Sequence, residues 1–251
     1  MAISEGFAGS PARVLIVIPA HNEEPRLGAV IAAARAALPE AAVLVVDDGS
    51  VDATTRVARE AGAIVLPLPF NLGSGAARQT AYQYALKKGY DAVVTIDADG
   101  QHEPADLPVL LDELGRGAVD VVLGSRFLGA GDYRPEPLRK LGMGLIRFLL
   151  KLTTGQVITD PTSGYQALGP RAIALYAGPV YPSDYPDAEV LLMVYRAGLR
   201  VAEVPVRMYP RASGASMFRG VLSPLWMMFK MLLSIVVTML RAPEPVEGGK
   251  P

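Results

Sequence analysis

Short apolar runs alternate with amphipathic segments over the first hundred residues of the chain. Four runs are rich in Val, Ile and Leu and are bounded by Gly, Pro or Asp, a pattern typical of buried β-strands. These predicted strands cover residues 14–18, 43–46, 64–66 and 93–97. The segments between them have helical spacing and cover residues 27–38, 52–61 and 73–87. The first strand is expected to end at Pro19, so the chain begins with a repeated strand–helix unit.

The same alternation continues along the second half of the chain. It predicts helices at 107–116, at 138–152 and from 185–189 onward, and strands at 119–123 and 201–206. Strands that alternate with helices connect by right-handed crossovers and form a mostly parallel sheet. The predicted fold class is therefore α/β with a central, mostly parallel sheet. Because such a fold hosts many functions, the side chains at the strand ends must indicate the chemistry.

Two carboxylates follow the fourth predicted strand. Asp97 and Asp99 lie where this strand leaves the sheet, and ligands of open α/β sheets bind at the carboxyl ends of the strands. Two acidic groups so close together repel each other unless a cation or hydrogen-bond donors lie between them. Mg²⁺ takes one or two carboxylates together with phosphate oxygens, which predicts a metal and phosphate site. An Asx-turn at the end of a strand is the alternative.

The ends of the other strands carry polar groups as well. Residues 19–24 follow the first strand and residues 47–50 follow the second, where an acidic side chain can accept hydrogens of a base or ribose. A tight Asp-Gly turn with a helix cap is the alternative for 47–50. Residues 71–78 open a helix with small side chains, which lets backbone N–H groups approach a phosphate. Simple close packing explains that segment equally well.

Composition narrows the possibilities further. The chain has 251 residues, of which 51% are apolar, enough for one large domain rather than two separate cores. With 24 basic and 25 acidic residues its net charge is -1, so no nucleic-acid partner is predicted. The absence of cysteine excludes disulfides, thiolate metal sites and a cysteine nucleophile. Residues 1–12 contain no apolar segment of signal-peptide length, and a flexible N-terminus in the cytoplasm is expected.

The strand-end motifs, taken in order and spacing, resemble those of the family 2 inverting glycosyltransferases. The residues that carry the resemblance are 18–23, 46–50, 71–73 and 97–101. Within that family the chain is similar to the dolichyl- or polyprenyl-phosphate sugar transferases, from about residue 12 to 240. The resemblance implies a nucleotide-sugar-binding GT-A fold. His21 is a departure, because many relatives have a tyrosine there, and a surface or core histidine is the alternative to a stacking role.

The resemblance also implies roles for individual residues. The implied nucleotide contacts are Pro19, Asn22, Glu23, Asp48, Gly73 and Asp97. The implied ligands of a divalent metal, Mg²⁺ or Mn²⁺, are Asp97, Asp99 and Gln101. Asp160 lies in an Asp-x-x-Ser-Gly setting, where the family's suspected base lies near the acceptor phosphate, and an N-cap aspartate is the alternative. Asp187 or Glu189 is an additional candidate for a substrate contact, although acids also favour a helix N-terminus.

Cations are predicted to hold the anionic acceptor. Arg126 follows the strand at 119–123 and can clamp a phosphate in a bidentate manner, with a structural ion pair as the alternative. The candidate acceptor-binding residues are Ser125, Arg126, Arg139 and Arg211, the last in a basic loop that is expected to be mobile. The predicted catalytic residues are Asp99, Asp160 and Arg126.

Two segments are predicted to meet a membrane. In the helix at 138–152, a stripe of large apolar residues lies apart from a stripe of cations, which suits an anionic membrane surface. Residues 221–240 are long enough to span a bilayer, but Lys230 near the centre is costly in hydrocarbon. We therefore expect an interfacial helix there, with a span, docking along a membrane partner and packing on the sheet as alternatives. An ordinary surface helix is the alternative for 138–152.

The predicted organisation is a catalytic domain at 13–220, an apolar or amphipathic helix at 221–241 and a disordered tail at 242–251. The predicted function is metal-dependent transfer of a sugar from a GDP- or UDP-linked donor to a polyprenyl phosphate, with anomeric inversion. It is expected at the cytoplasmic face of a membrane, with a small membrane protein as a further candidate partner. The alternatives are a transferase for a soluble or protein acceptor and a non-catalytic nucleotide-sugar-binding adaptor.

Overall fold

The structure is a computed structural model that describes residues 13–129, 137–183, 188–209, 233–234 and 237–240. The strands in these residues are β1 Val14–Ala20, β2 Ala42–Asp47, β3 Ile64–Pro67, β4 Ala92–Thr95, β5 Val121–Ser125, β6 Gln166–Leu168 and β7 Val201–Pro205. The helices are α1 Glu24–Ala37, α2 Thr54–Glu60, α3 Ser74–Lys88, α4 Leu107–Gly115, α5 Pro137–Thr154, α6 Pro170–Ala177 and α7 Ala188–Arg196. A 3-10 turn at Pro104–Asp106 precedes α4.

The strands form one sheet in the order β3-β2-β1-β4-β6-β5-β7. Every neighbouring pair is parallel except those of β6, which runs antiparallel to both β4 and β5. The prediction of an α/β fold with a mostly parallel sheet is therefore confirmed. Because β6 is antiparallel, the turn that precedes it starts at the same edge of the sheet as the carboxyl ends of β4 and β5.

Helices cover both faces of the sheet, and successive residues of β1 show how. Leu15 and Val17 lie in the core beneath α3, α5, α6 and α7. Ile16 and Ile18 lie in the core on the other face, beneath α1, α2 and α4. A strand buried on both faces is apolar at every position, which explains the continuous runs in the sequence. The rigid three-layer core fixes the positions at which the strands end.

The observed bounds differ from the predicted ones at a few places. Strand β1 continues past Pro19 to Ala20, because hydrogen bonds from Ile96 N–H to Val17 O (3.0 Å) and from Asp48 N–H to Ala20 O (2.8 Å) flank the proline. Strand β4 ends at Thr95, two residues before the predicted end, whereas β5 extends to Ser125. Strand β6 and helix α6 were not predicted from the sequence. A three-residue strand has no measurable alternation, and Gly169-Pro170 is typical of a loop as well as of a helix start.

Several predicted segments lie outside the described residues. They are residues 1–12, 242–251 and most of 221–241, so their predicted structures are not tested. Residues 233–234 and 237–240 are helical. Among the parts of the chain that the structure describes, no helix combines the length and the apolar character that crossing a bilayer requires.

Candidate active site

The turns after β1 and β2 interlock at the carboxyl edge of the sheet. Asn22 adopts a positive φ of 55°, its N–H donates to Ser50 Oγ (2.9 Å), and its Oδ1 accepts from Val51 N–H (2.9 Å). His21 Nδ1 lies 2.8 Å from the Asp48 carbonyl and therefore acts as the donor. Its Nε2 then accepts from Asn22 Nδ2 at 3.0 Å. His21 thus holds two predicted nucleotide-binding turns together, a role that the sequence did not indicate.

Asp48 joins the third turn to the first two. Its carboxylate is 4% exposed and accepts from the N–H groups of Leu72 (2.7 Å) and Gly73 (3.0 Å). Gly49 has a φ of +68°, and a Cβ there would lie 2.4 Å from the carbonyl carbon of Phe70. The predicted contact of Asp48 with a nucleotide stays a prediction. Its observed partners are two backbone N–H groups, so it also fixes the loop that carries Gly73.

The small residues that open α3 serve close packing. A Cβ on Gly75 would lie 2.0 Å from the Pro182 carbonyl oxygen, and Ala76 N–H donates to Ser183 O at 2.8 Å. Packing is therefore the physical reason for Gly75. Gly73 has a φ of 101°, a backbone conformation that glycine adopts readily and other residues rarely do.

The turn after β4 carries the predicted metal ligands Asp97, Asp99 and Gln101 and is named the metal turn for that prediction. Asp97 is paired there. Arg78 Nη2 donates to Asp97 Oδ1 at 2.8 Å, and the His102 ring stacks on Tyr165 with 4.7 Å between ring centroids. Burial lowers the pKa of His102 despite the carboxylates of Asp97 and Asp99. Burial opposes the ionisation of Asp97, but His102 and Arg78 together lower the pKa of its carboxyl. Arg78, whose guanidinium is always charged, therefore favours the ionised form of Asp97.

Asp99 and Gln101 lie further along the same turn. Asp99 is half-buried, and its Oδ1 accepts from Gln101 N–H at 3.0 Å. The Gln101 side-chain amide donates to Tyr209 O (3.2 Å), while Tyr209 N–H donates to Gln101 O (2.8 Å). This turn is thereby attached to the segment after β7. Within the described part of the chain, no group of three or more His, Cys, Asp and Glu side chains is arranged to hold a metal.

The donor set at this turn fits a hard divalent cation. Asp97 and Asp99 supply two carboxylates at a strand end, and Mg²⁺ is commonly bound by one or two carboxylates, water and substrate phosphates. Asp97 shares its charge with Arg78, whereas the carboxylate of Asp99 accepts a backbone N–H within the turn.

Arg126 and Asp160 form a buried ion pair. Arg126 Nε and Nη2 donate to the two carboxylate oxygens of Asp160, each at 2.6 Å, and the Arg126 backbone N–H donates to Oδ2 at 3.1 Å. Arg126 Nη2 also donates to Thr162 Oγ1 at 3.0 Å. The exposed fractions of Arg126 and Asp160 are 8% and 0%. The structure thus brings the two predicted catalytic residues together, in the ion pair that was the alternative for Arg126.

This ion pair lies within electrostatic reach of the metal turn. The charge of Arg126 is among those that lower the pKa of Asp97. Gly164, on the turn that carries Asp160, approaches the same carboxylate, since a Cβ there would lie 2.7 Å from Arg78 Nη2 and 3.5 Å from Asp97 Oδ2. The site therefore combines a pair of carboxylates with a buried guanidinium at one edge of the sheet.

The other predicted acceptor-binding residues are placed differently. Ser125 is fully buried, and its Oγ lies 2.6 Å from Thr159 Oγ1 and accepts from Phe127 N–H at 3.2 Å. Arg139 lies in α5, where its side chain is not described, and Arg211 lies outside the described residues, as does Asp187. Glu189 is buried, at 6% exposure, in the first turn of α7.

Helix α5 has both a buried and an exposed apolar face. Met143, Ile146 and Leu150 are buried, and the last two belong to the core. Leu145, Phe148 and Leu152, which belong to the apolar stripe predicted at 138–152, are 39%, 61% and 71% exposed. Lys151 is also exposed. The helix thus packs through one apolar face and exposes a second that contains a cation.

Sequence reasoning missed Arg78 and Glu203 in this site. Arg78 lies one helical turn after the start of α3 at Ser74. This position near the helix start was the signal in the sequence that could have indicated it. Glu203 is a lone acid within the apolar strand β7, and its carboxylate accepts from the N–H groups of Thr159 (2.7 Å) and Asp160 (2.8 Å). An acid in a half-buried strand needs donors, but the sequence does not identify them.

A mostly parallel α/β sheet with two carboxylates and a buried guanidinium at its carboxyl edge is compatible with the predicted nucleotide-sugar-binding fold of the GT-A type. The model of glycosyl transferase family 2 matches residues 15–173. The chain belongs to this family and is a glycosyltransferase, as the motifs in the sequence predicted.

The chain is similar to two named relatives and to a solved structure. The chain is 35% identical to an undecaprenyl-phosphate mannosyltransferase of Micrococcus luteus, covering 83% of this chain and 88% of the relative. It is 33% identical to a polyprenol monophosphomannose synthase of Mycolicibacterium smegmatis, covering 83% and 82% of the two chains. The fold is also similar to a solved structure of glucosyl-3-phosphoglycerate synthase from Mycobacterium tuberculosis, in complex with Mn²⁺, uridine diphosphate and phosphoglyceric acid. The TM-score is 0.70 at 22% identity, and the match covers 96% of this chain and 82% of that one.

Proposed function

We propose that this enzyme transfers a sugar from a nucleotide-diphosphate donor to a polyprenyl phosphate, with inversion at the anomeric carbon. The observation that carries the proposal is the juxtaposition of the Asp97–Asp99 turn with the Arg126–Asp160 pair. The first suits a cation with the donor diphosphate, and the second suits an anionic acceptor. The relatives named for sugar transfer to polyprenyl phosphates support the same reading.

Asp99 and Asp97 would hold a divalent cation, with Gln101 near it. When bound, such a cation neutralises the charge that develops on the departing nucleotide diphosphate. Mn²⁺ accompanies uridine diphosphate in the related solved structure. Arg78 keeps Asp97 ionised and in place, because it contacts that carboxylate at 2.8 Å from a largely buried position.

The predicted nucleotide contacts surround the first three strand ends. Asn22, Glu23 and Gly73 lie on turns that the His21 and Asp48 hydrogen bonds hold together. A rigid set of turns positions the donor without ordering costs at the moment of binding. We propose that these turns, together with Pro19, bind the base and ribose.

The acceptor phosphate is itself the nucleophile. It is anionic at neutral pH, so positioning matters more than removal of a proton. A buried guanidinium oriented by a bidentate carboxylate supplies that positioning, and Arg126 is the group we assign to it. Asp160 touches Arg126 through both oxygens, so its proposed contribution is orientation of the guanidinium next to the acceptor. Arg139 and Arg211 remain proposed as further cations for the acceptor.

The exposed apolar face of α5 is the proposed membrane contact. Leu145, Phe148 and Leu152 with Lys151 combine apolar area with a cation, the combination that lies in the interface of an anionic bilayer. Residues 221–240 are proposed as a second interfacial helix. Contact with the cytoplasmic leaflet would present the site to a lipid phosphate.

The sugar is proposed to be mannose, because both named relatives carry mannose in their descriptions. The test offers purified enzyme a panel of GDP- and UDP-linked sugars with a polyprenyl phosphate, with the matching polyprenol, and with no acceptor, in Mg²⁺ or Mn²⁺. Label from one donor is expected to enter the organic phase only with the phosphorylated lipid. Transfer to a soluble acceptor instead would replace the proposal, and binding without turnover would indicate an adaptor.

A further inference from the structure

We infer that Glu203 is a positioning residue for the acceptor phosphate, through the turn at Thr159-Asp160 that holds Arg126. The inference rests on the proposed function, because it assigns Glu203 to the part of the site that receives the acceptor. Glu203 lies on β7, and its carboxylate binds the turn that carries Asp160.

Three donors converge on the Glu203 carboxylate. Thr159 N–H donates to Oε2 (2.7 Å), Thr159 Oγ1 donates to Oε1 (2.9 Å), and Asp160 N–H donates to Oε1 (2.8 Å). Glu203 lies in the middle of β7, in register with Leu123 of β5. The rigid sheet therefore fixes the carboxylate, and the carboxylate in turn fixes the turn.

Two chains of hydrogen bonds lead from Glu203 to the end of β5. In one, the Asp160 carboxylate accepts hydrogen bonds from the side-chain and backbone N–H groups of Arg126. In the other, the Thr159 hydroxyl hydrogen is given to Glu203, so the Ser125 hydroxyl donates to Thr159 (2.6 Å) and accepts from Phe127 N–H (3.2 Å). Arg126 is thus held through its own side chain and through both of its neighbours in the sequence.

The chemistry of the contact requires a carboxylate. An ionised carboxylate is only an acceptor, and both oxygens here receive hydrogens. A glutamine has the same shape but carries an NH₂ group in place of one carboxylate oxygen. This donor would face either Thr159 N–H or the two donors that bind Oε1, Thr159 Oγ1 and Asp160 N–H. Glu203→Gln therefore loosens the turn while leaving the length of the side chain unchanged.

The experiment compares Glu203→Gln with wild type in the transfer assay, varying donor and acceptor separately. Loss of one or two charge-assisted hydrogen bonds is expected to lower kcat/KM for the polyprenyl phosphate by about tenfold or more. The KM for the donor, and its Kd measured by calorimetry, should stay within about twofold, since the donor turns are held by other contacts. The matched control is Glu60→Gln, which removes an exposed partner of Arg56 on α2 and should change neither.

A second variant guards against loss of folding. Thr159→Val keeps the shape and removes the hydroxyl that joins Glu203 to Ser125, so a smaller fall for the acceptor in the same direction is expected. The double variant Glu203→Gln with Asp160→Asn should be about as impaired as the worse single variant, because both act through Arg126.

Three results would overturn the inference. They are unchanged acceptor kinetics in both Glu203→Gln and Thr159→Val, equal losses for donor and acceptor, and effects of Glu203→Gln and Asp160→Asn that add. The proposed function fails differently, because wild-type enzyme would then transfer no sugar to the lipid phosphate at all.

Discussion

The Arg126–Asp160 pair gives the sharpest prediction about stability. Asp160 is fully buried and Arg126 nearly so, and three N–H donors of Arg126 converge on one carboxylate. Asp160→Asn removes the charge without changing the volume, and the buried guanidinium then lacks the carboxylate with which it forms its ion pair. Breaking a buried pair in this way costs about 3–5 kcal/mol. At about 2–4 °C per kcal/mol for a chain of this size, the melting temperature should fall by roughly 6–20 °C.

Urea unfolding followed by circular dichroism measures this loss. The control is Glu60→Gln, whose exposed pair with Arg56 should contribute about 0–1 kcal/mol. Adding Arg126→Met to Asp160→Asn removes the orphaned charge and should restore part of the stability. A loss below about 1 kcal/mol for Asp160→Asn, as for an exposed pair, would refute the reasoning. In assays below its melting temperature, Asp160→Asn should lose transfer to the lipid while donor binding persists.

The remaining predictions concern the metal turn, the start of α3 and the membrane face. Asp99→Asn should abolish turnover, with several kcal/mol added to the barrier, yet melt close to wild type because Asp99 is only half-buried; near-normal activity after chelation and metal repletion would contradict the site. Gly75→Ala places a Cβ against Pro182 O and should lower the free energy of unfolding by about 1–3 kcal/mol, measured by thermal melting. An unchanged melting temperature would mean that the segment at Pro182 moves to make room. Phe148→Glu should weaken flotation with anionic liposomes, as should high salt; equal flotation of wild type and variant would exclude α5 as the contact.

Much of the fold could be predicted because its signals are local. Strands β1, β2, β4 and β5 are short apolar runs buried on both faces, and acidic residues follow β2 and β4 where the chain leaves the sheet. The acidic turn at Asp97 and Asp99 was recognisable for the same reason. Strand β6 was not, since three residues carry no periodicity and its pairing with β4 and β5 depends on partners more than 40 residues away.

The contacts within the site could not be predicted, because they join distant segments. The sequence indicated Arg126 and Asp160 separately, but their pairing depends on the turn before β6 returning to the end of β5, 34 residues later. Glu203 and Arg78 are single charged residues in otherwise regular elements, and only the fold brings them to Asp160 and Asp97. The local sequence therefore identifies the polar residues at the strand ends, whereas the partner of each residue is known only from the tertiary structure.

The most direct test of the account is the chemical fate of the acceptor phosphate. Purified enzyme is incubated with the donor identified in the panel, a divalent metal and a short-chain polyprenyl phosphate, and the lipid is examined by ³¹P NMR. The account predicts that the phosphomonoester signal is replaced by that of a phosphodiester whose sugar has the anomeric configuration opposite to that in the donor. An unchanged phosphomonoester, with free sugar and nucleotide diphosphate accumulating beside it, would contradict the account.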